Sequence, residues 1–167
     1  MIIRRAIPAD ISMLNAVVSE ADALHVRGVP EIFRMPRPAG RSRAYWMKLI
    51  SDRKRALFVA QDKGKVLGYV DVAIKSAEPF PLLRPRRFGY VSSLVVTRRL
   101  RRKRVGYKLM DAVHAWLSKS GVQSVSLNVW SFNSGAVKFY KRLRYRFVNH
   151  RMVRRLGSER GIKAGAK

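Results

Sequence analysis

The stretch YVSSLVVTRRLRRKRVGYKLMDAVHAWL, residues 90–117, carries the clearest signal of fold in this chain. Apolar and β-branched residues dominate its first eight positions and predict a strand. Seven of the next eleven residues are Lys or Arg, and one glycine, Gly106, lies among them. From Val105 onward, apolar side chains recur at 105, 109, 113, 116 and 117, which predicts a helix that ends at Gly121. Trp116 and Leu117 are therefore predicted to lie in the core.

The basic loop between this strand and helix is suited to an anion. A helix N-terminus offers unpaired backbone N–H groups and a partial positive charge, so phosphate binds there readily. Gly106 allows the backbone to approach a ligand closely, and Arg101, Arg102, Lys103 and Arg104 would add charge-assisted hydrogen bonds. We predict a pyrophosphate-binding loop, although a solvated basic turn explains the spacing equally well. The glycine spacing matches neither a Walker loop nor the dinucleotide fingerprint.

Composition points to one domain with an unusual charge. The 167 residues contain 36 Lys and Arg against 10 Asp and Glu, a net charge of +26, and 47% are hydrophobic. We expect a single domain over 1–156 and a polar tail over 157–167. Such a surface attracts polyanions, so non-specific nucleic-acid binding is expected at low salt.

The sequence argues against several kinds of site and several cellular locations. The absence of cysteine excludes disulfides, zinc–thiolate sites and cysteine nucleophiles, and we predict no metal site. The N-terminal residues lack the apolar core of a signal peptide, and no apolar run reaches the length of a membrane span. We expect a cytoplasmic protein with no membrane partner.

The remaining periodicity predicts an α/β domain with the order β-α-α-β-β-β-α-β-α-β. The predicted strands span 1–6, the two arms of a hairpin at 56–76, 90–97, 122–130 and one or two strands within 145–156. The predicted helices span 7–25, 42–52, 105–120 and 133–143. The DKGK sequence in the hairpin is a turn signal.

The segment from Tyr90 to Phe147 resembles the core of the GNAT (Gcn5-related) N-acetyltransferase superfamily. DALHVRGVPEIF, residues 22–33, also resembles the acceptor-side segment of many small members. The resemblance implies the GNAT fold, a central mixed and mostly antiparallel sheet flanked by helices. It implies transfer of an acetyl group from acetyl-CoA, the cosubstrate, to a primary amine of a small molecule or a protein N-terminus. It also implies a monomer or homodimer.

The family's phosphate-binding loop has the pattern Arg/Gln-x-x-Gly-x-Gly/Ala. Arg101 falls on its first position and Gly106 on its last, whereas Arg104 stands where the middle glycine is usual. Arg102 and Arg144 also occupy positions where members often carry glycine. By resemblance, the residues expected to bind acetyl-CoA are Leu94, Val95, Val96, Arg101, Arg102, Lys103, Arg104, Val105, Gly106, Tyr107, Asn133 and Tyr140.

Acetyl transfer requires a polarised carbonyl, a neutral amine and a protonated leaving thiolate. By resemblance, backbone groups of Leu94 and Val96 bond the pantetheine arm, and an N–H near Val95 polarises the thioester. Tyr140 matches the general acid, although its spacing alone favours a core position. Asn133 matches a pantetheine-binding position and is also suited to cap its helix.

The general base is less clearly indicated. Ser92 occupies the place where many relatives carry a carboxylate, and it cannot act alone. Asp71 is the nearest plausible carboxylate, although a solvent-facing strand position is the favoured interpretation. Glu31, His25 and Glu20 are further candidates on the acceptor side, and His25 continues an apolar helix face as a core histidine would. The predicted catalytic residues are thus Tyr140, Asp71 and Ser92, with water as an alternative proton carrier.

Two other functions remain open from the sequence. The first is a nucleic-acid-binding protein on the same fold, because the basic clusters at 98–108 and 141–155 contain interleaved aromatic residues. The second is a weakly active or inactive CoA-binding protein whose loop is impaired by Arg104. For the enzyme, a polycationic acceptor would be repelled by the surface, whereas a protein N-terminus, an amino acid or an anionic amine is compatible.

Overall fold

One five-stranded sheet, in the order β1-β2-β3-β4-β5, forms the centre of the molecule. The computed structural model describes residues 1–78, 80–82, 84–154 and 156, so the predicted tail at 157–167 lies outside the described residues. The strands are β1 (Ile2–Arg5), β2 (Arg55–Asp62), β3 (Lys65–Ser76), β4 (Arg87–Val96) and β5 (Val125–Leu127). The helices are α1 (Ile11–Gly28), α2 (Arg43–Ser51), α3 (Val105–Lys119) and α4 (Ser134–Arg142), with 3₁₀ turns at Pro8–Asp10 and Arg98–Leu100.

The sheet is mixed but mostly antiparallel. Neighbouring strands from β1 to β4 are antiparallel, and β5 alone runs parallel to its neighbour β4. The parallel pair follows from the chain path, because α3 forms the crossover that a parallel connection requires. The predicted α/β class and the mostly antiparallel sheet are therefore confirmed.

Helices cover both faces of the sheet, and each face has its own core. Leu14 of α1 and Trp46 of α2 pack with Val59 and Tyr69 on the first face. On the second face, α3 contributes the buried residues Val105, Leu109, Met110, Val113 and Leu117. This agrees with the predicted apolar face of α3, except that Trp116 is only partly buried. Because successive side chains of a strand point to opposite faces of the sheet, β2 and β3 contribute residues to both cores.

Glycines end the hairpin turn and α3 as predicted. The turn between β2 and β3 places Lys63 and Gly64 at φ of 46° and 77°, values that suit the tight turns of hairpins. Gly121 has φ of 69°, and the Val122 N–H donates to the carbonyl of Leu117 over 2.9 Å. This is the left-handed ending that favours glycine after a helix.

The predicted C-terminal strand is wrong for the residues that the structure describes. Residues 145–154 and 156 contain no strand, and the predicted strand at 122–130 is limited to Val125–Leu127. Alternating apolar residues suggested a strand, but a strand also needs a backbone partner and an apolar surface to cover. Val148, Met152 and Val153 are instead more than four-fifths exposed. Among the described helices, none has both the length and the apolarity of a membrane-spanning segment.

Candidate functional site

A β-bulge at Ser92 changes the direction of side chains along β4. Asp71 of β3 pairs with Ser93 and Val72 pairs with Val91, so Ser92 is an extra residue. A one-residue slip exchanges the faces of a strand. Val91 accordingly packs in the core under α3, whereas Val95 packs in the core under α1 and α2.

Beyond the bulge, β4 has an edge that no described strand covers. The pairing of β4 with β5 stops at Val91 and Leu127. On the other side, the Thr97 N–H donates to the carbonyl of Leu67 over 3.0 Å, so Thr97 bonds toward β3. Because backbone groups alternate in direction along an antiparallel strand, Leu94 and Val96 direct theirs toward the open edge. These are the residues expected to bond an extended ligand.

The basic loop lies against this open edge. The Arg101 Nε donates to the carbonyl oxygen of Val96 over 3.3 Å. Arg102 and Arg104 adopt left-handed backbone conformations, with φ of 65° and 59°. Arg104 stands at the middle glycine of the family pattern and Arg102 where members often carry glycine, and a positive φ is a physical reason for such a preference.

The N-terminus of α3 has donors available for an anion. Arg104 precedes the helix and its side chain makes no capping hydrogen bond. The first backbone bond across the helix start runs from the Lys108 N–H to the Arg104 carbonyl, over 3.2 Å. The preceding N–H groups, those of Val105, Gly106 and Tyr107, therefore have no acceptor within the helix. Together with the guanidinium groups of the loop, they suit a diphosphate.

Gly106 is where α3 and α4 approach each other. A β-carbon on Gly106 would lie 3.2 Å from the Phe139 ring, a contact tighter than normal packing. The rings of Tyr107 and Phe139 meet edge to face at 5.0 Å. Gly106 therefore permits close helix packing, and a role in phosphate binding is compatible with this position.

Asn133 and Tyr140 are held by α4. Asn133 Oδ1 accepts a hydrogen bond from the Ala136 N–H over 3.1 Å, so Asn133 caps the helix. Tyr140 is partly buried, with its ring 5.6 Å from that of Tyr145. Burial raises the pKa of the Tyr140 hydroxyl above its usual value, so this phenol keeps its proton in mildly alkaline solution.

A cavity of about 430 Å³ opens on the face of the sheet that carries α1 and α2. Two groups of aromatic residues form much of its wall. The group on α2 and β3 consists of Tyr45, Trp46 and Tyr69. The group on α1 and the loops consists of His25, Phe33 and Trp130. Polar lining comes from Asp22, Arg34, Arg41, Asp71, Ser92 and Ser93. Because Ser92 and Ser93 belong to the bulge, the cavity reaches the place where β4 and β5 separate.

Asp71 is a buried member of an ion pair, and the expectation of a solvent-facing position is wrong. Its side chain is 4% exposed, and both carboxylate oxygens lie 2.7 Å from Arg55 Nη1. Burial raises the pKa of Asp71 above its usual value, and the hydrogen bond from Arg55 opposes that rise. The ion pair explains the burial, since a lone charge would be far more costly there.

The serines of the bulge differ in their surroundings. Ser92 is exposed, whereas the Ser93 hydroxyl donates to the Tyr69 hydroxyl oxygen over 3.1 Å. Burial raises the pKa of Tyr69, and Tyr69 lines the same cavity. The structure thus brings Asp71 and Ser92 together at one cavity, while Tyr140 belongs to the cluster on the opposite face of the sheet.

The three further base candidates lie in different places. Glu20 Oε2 accepts a hydrogen bond from the Arg98 N–H over 2.8 Å, which ties it to the basic loop. Glu31 is exposed and does not line the cavity. His25 does line it, and its Nδ1 lies 2.7 Å from the Ala21 carbonyl oxygen, so Nδ1 carries a proton in that bond.

Sequence reasoning missed most of the cavity wall. Arg41 and the aromatic residues of α2 carry no motif, because the fold brings them to the cavity from separate parts of the chain. Phe33 lies in the segment 22–33 that resembles the acceptor side of the family, but the ring that it packs against belongs to Trp130, which is distant in the sequence. In the described part of the chain, no group of three His, Asp or Glu residues is arranged to hold a metal ion.

Comparisons with known proteins relate the chain to acetyltransferases. The model of the acetyltransferase (GNAT) family matches residues 27–145. A search of curated proteins found no match. A mutant of the BH1408 protein from Bacillus halodurans is similar in structure, with a TM-score of 0.89 and 24% identity over 93% of this chain and 99% of that one.

Two other solved structures share the fold at lower identity. An aminoglycoside N-acetyltransferase, AAC(6')-Iy, solved with CoA, has a TM-score of 0.70 and 14% identity, covering 94% of this chain and all of its own. A ribosomal-protein-alanine N-acetyltransferase from Brucella melitensis biovar Abortus has a TM-score of 0.65 and 18% identity, covering 93% and 100%. At these identities the likeness shows the fold alone.

Proposed function

Because the chain belongs to the acetyltransferase (GNAT) family, whose model matches residues 27–145, we propose that it transfers the acetyl group of acetyl-CoA to a primary amine. One observation carries the proposal. The bulge at Ser92 separates β4 from β5 beside an uncapped helix N-terminus with a basic loop. Open backbone groups and an anion-binding helix start are what a pantetheine arm with a diphosphate requires.

The residues present fit acetyl-CoA. The diphosphate binds the N–H groups of Val105, Gly106 and Tyr107, with Arg101 and Lys103 supplying charge. The pantetheine amides bond the open edge of β4 at Leu94 and Val96. Arg102 and Arg104 lie in the same loop, and their left-handed backbone preserves the shape that glycine usually provides.

The cosubstrate supplies an activated acetyl group as a thioester, and the protein positions and polarises it. The backbone near Val95 donates to the acetyl oxygen as negative charge develops there. The Tyr140 hydroxyl donates a proton to the departing sulfur. Its raised pKa keeps the hydroxyl protonated, and so available as a donor, in neutral and mildly alkaline solution.

The acceptor amine enters from the aromatic cavity. Ser92 and Ser93 line this cavity and directly precede the open edge, so both substrates reach one short stretch of β4. Asp71 accepts the proton that the amine loses, through water at Ser92. A buried carboxylate with a raised pKa is a better proton acceptor than an exposed one.

For the alternative of a dedicated nucleic-acid-binding protein, three of the four interleaved aromatic residues are not exposed for stacking. Tyr107, Tyr140 and Tyr145 are partly buried against other aromatic rings, and only Phe147 of the four interleaved aromatics is exposed. Single-strand binding relies on exposed aromatic rings beside basic residues. The positive surface therefore supports non-specific attraction to polyanions, while the interleaved aromatics do not support a stacking surface.

The test is acetyl transfer followed directly. The protein is incubated with acetyl-CoA and a panel of amines, and the products are detected by mass spectrometry alongside free CoA. Acetylated amine in proportion to CoA supports the proposal. Absence of both products, together with no binding of acetyl-CoA by calorimetry, refutes it.

A further inference from the structure

The cavity that opens onto the bulge has no uncommitted carboxylate in its described lining. Asp22 bonds Arg41 through two nitrogens, at 2.8 Å each, and Asp71 bonds Arg55 at 2.7 Å. Arg34 also lines the cavity, and it has no ion-pair partner among the described residues. A cationic acceptor would thus find no free anion, whereas an anionic group would find Arg34.

The apolar part of the cavity has flat walls. The rings of Phe33 and Trp130 lie 5.0 Å apart, and His25 lies 5.1 Å from Phe33. Helix α2 contributes Trp46 and strand β3 contributes Tyr69, and the rings of these two residues are 5.6 Å apart. Such surfaces suit an aromatic or large apolar side chain. At about 430 Å³, the cavity lies toward the small end of ligand pockets.

We propose that the acceptor is a free amino acid with an aromatic or large apolar side chain, bound through its carboxylate by Arg34 and through its side chain by Phe33 and Trp130. This rests on the proposed acetyltransferase function. The net charge of +26 also repels polycations such as polyamines and aminoglycosides.

The reaction balances without another reactant. The amine nitrogen forms a bond to the acetyl carbon, and the carbon–sulfur bond of the thioester breaks. One proton leaves the nitrogen and one proton reaches the sulfur, so the products are an N-acetylated amino acid and CoA as its thiol.

Four acceptors separate the contributions of carboxylate and side chain. L-phenylalanine carries both, 2-phenylethylamine lacks only the carboxylate, glycine lacks the side chain, and spermidine is a polycation. We expect the highest kcat/KM for L-phenylalanine and the lowest for spermidine. A higher kcat/KM for spermidine or for 2-phenylethylamine overturns the proposal, as does transfer to none of the four while acetyl-CoA binds.

Substitution of Arg34 tests the carboxylate site directly. Arg34→Gln should lower kcat/KM for L-phenylalanine roughly 10- to 100-fold, mainly through KM, because hydrogen bonds to charged groups are worth about 1.5–3 kcal/mol. The same substitution should leave kcat/KM for 2-phenylethylamine unchanged, because this amine has no carboxylate. The matched control is Arg37→Gln, which removes the same charge from an exposed residue outside the cavity.

Two results would refute a specific carboxylate contact. One is that Arg34→Gln lowers kcat/KM equally for L-phenylalanine and 2-phenylethylamine. The other is that Arg37→Gln lowers kcat/KM for L-phenylalanine as much as Arg34→Gln does. Failure here is distinct from failure of the acetyltransferase function. In the first case acetyl-CoA still binds and another class of amine is acetylated. In the second case acetyl-CoA is neither bound nor consumed.

Discussion

Arg101 donates from Nε to the carbonyl oxygen of Val96 over 3.3 Å, and this bond joins the basic loop to the open edge of β4. The two parts of the proposed acetyl-CoA site are therefore one continuous surface. The loop alone is a common arrangement before a helix, and the open strand alone is an ordinary sheet edge. Their connection makes the pair suitable for a long ligand with a diphosphate at one end.

Replacement of Tyr140 by phenylalanine tests its role as the proton donor. We expect Tyr140→Phe to lower kcat roughly 10²-fold or more, because general acids contribute that much. Affinity for acetyl-CoA should change little, since the ring and its packing against Phe139 and Tyr145 remain. Single-turnover rates and calorimetry separate the two effects. Equal losses in rate and in affinity would mean that the hydroxyl serves binding or packing instead.

The pH dependence of kcat gives a second measure of Tyr140. A proton donor must be protonated, and burial raises the pKa of Tyr140 above the usual 10. The rate should therefore show no alkaline decline from this group up to about pH 10. A decline in the parent protein centred near pH 8 to 9, absent from Tyr140→Phe, would contradict the raised pKa.

Asp71→Asn distinguishes a proton acceptor from a structural ion pair. If Asp71 accepts the amine proton, kcat/KM falls as pH drops below its raised pKa, and this acidic limb disappears in Asp71→Asn. The substitution also leaves Arg55 without its partner at that site, so a loss of about 3 kcal/mol in unfolding free energy is expected. Rates are therefore compared for the folded fraction, which is measured by circular dichroism.

Asp10→Asn is the matched control for Asp71. Asp10 is also buried, and it bonds Arg4 at 2.7 and 2.8 Å, but it does not line the cavity. Burial favours a higher pKa for Asp10, yet the hydrogen bonds from Arg4 and the Ile7 N–H outweigh it, and the pKa is lowered. Its stabilisation is present above the usual value of 3.8 and is lost as pH falls further. Asp10→Asn should lose stability and keep the acidic limb of the rate profile. Loss of that limb in both variants would assign it to unfolding.

Arginine at positions of positive φ should cost stability. Arg144 has φ of 64° just after α4, where the Tyr145 N–H bonds the Tyr140 carbonyl in a helix ending that favours glycine. Arg144→Gly should raise the free energy of unfolding by roughly 1 kcal/mol, because the left-handed conformation costs other residues about that much. Urea unfolding measures the change.

Arg104→Gly gives the same relief at φ of 59° but removes a charge from the basic loop. We expect similar stabilisation and weaker binding of acetyl-CoA at low salt, with a smaller dependence on salt. Arg144→Gly is its control, since it should leave binding unchanged. Tighter binding in Arg104→Gly would instead show that this arginine impairs the loop.

The sequence predicted those elements whose signal is local. The periodicity of α3, its end at Gly121 and the hairpin turn at Lys63 and Gly64 depend on neighbouring residues, and all three agree with the structure. The strand predicted at 145–156 failed because pairing depends on a distant partner that the pattern does not reveal. Asp71 was misplaced for the same reason, since its burial depends on Arg55, a residue of the adjacent strand.

Calorimetric titration of acetyl-CoA into the parent protein, Gly106→Glu and Gly106→Gln tests the diphosphate site most directly. Glu and Gln meet Phe139 with nearly the same bulk, so their difference isolates the added negative charge at the helix start. We expect the parent to bind acetyl-CoA with an affinity that falls as salt rises, Gly106→Gln to bind more weakly and Gly106→Glu not to bind. No binding by the parent, or equal binding by the Glu and Gln variants, would contradict a diphosphate held at the start of α3.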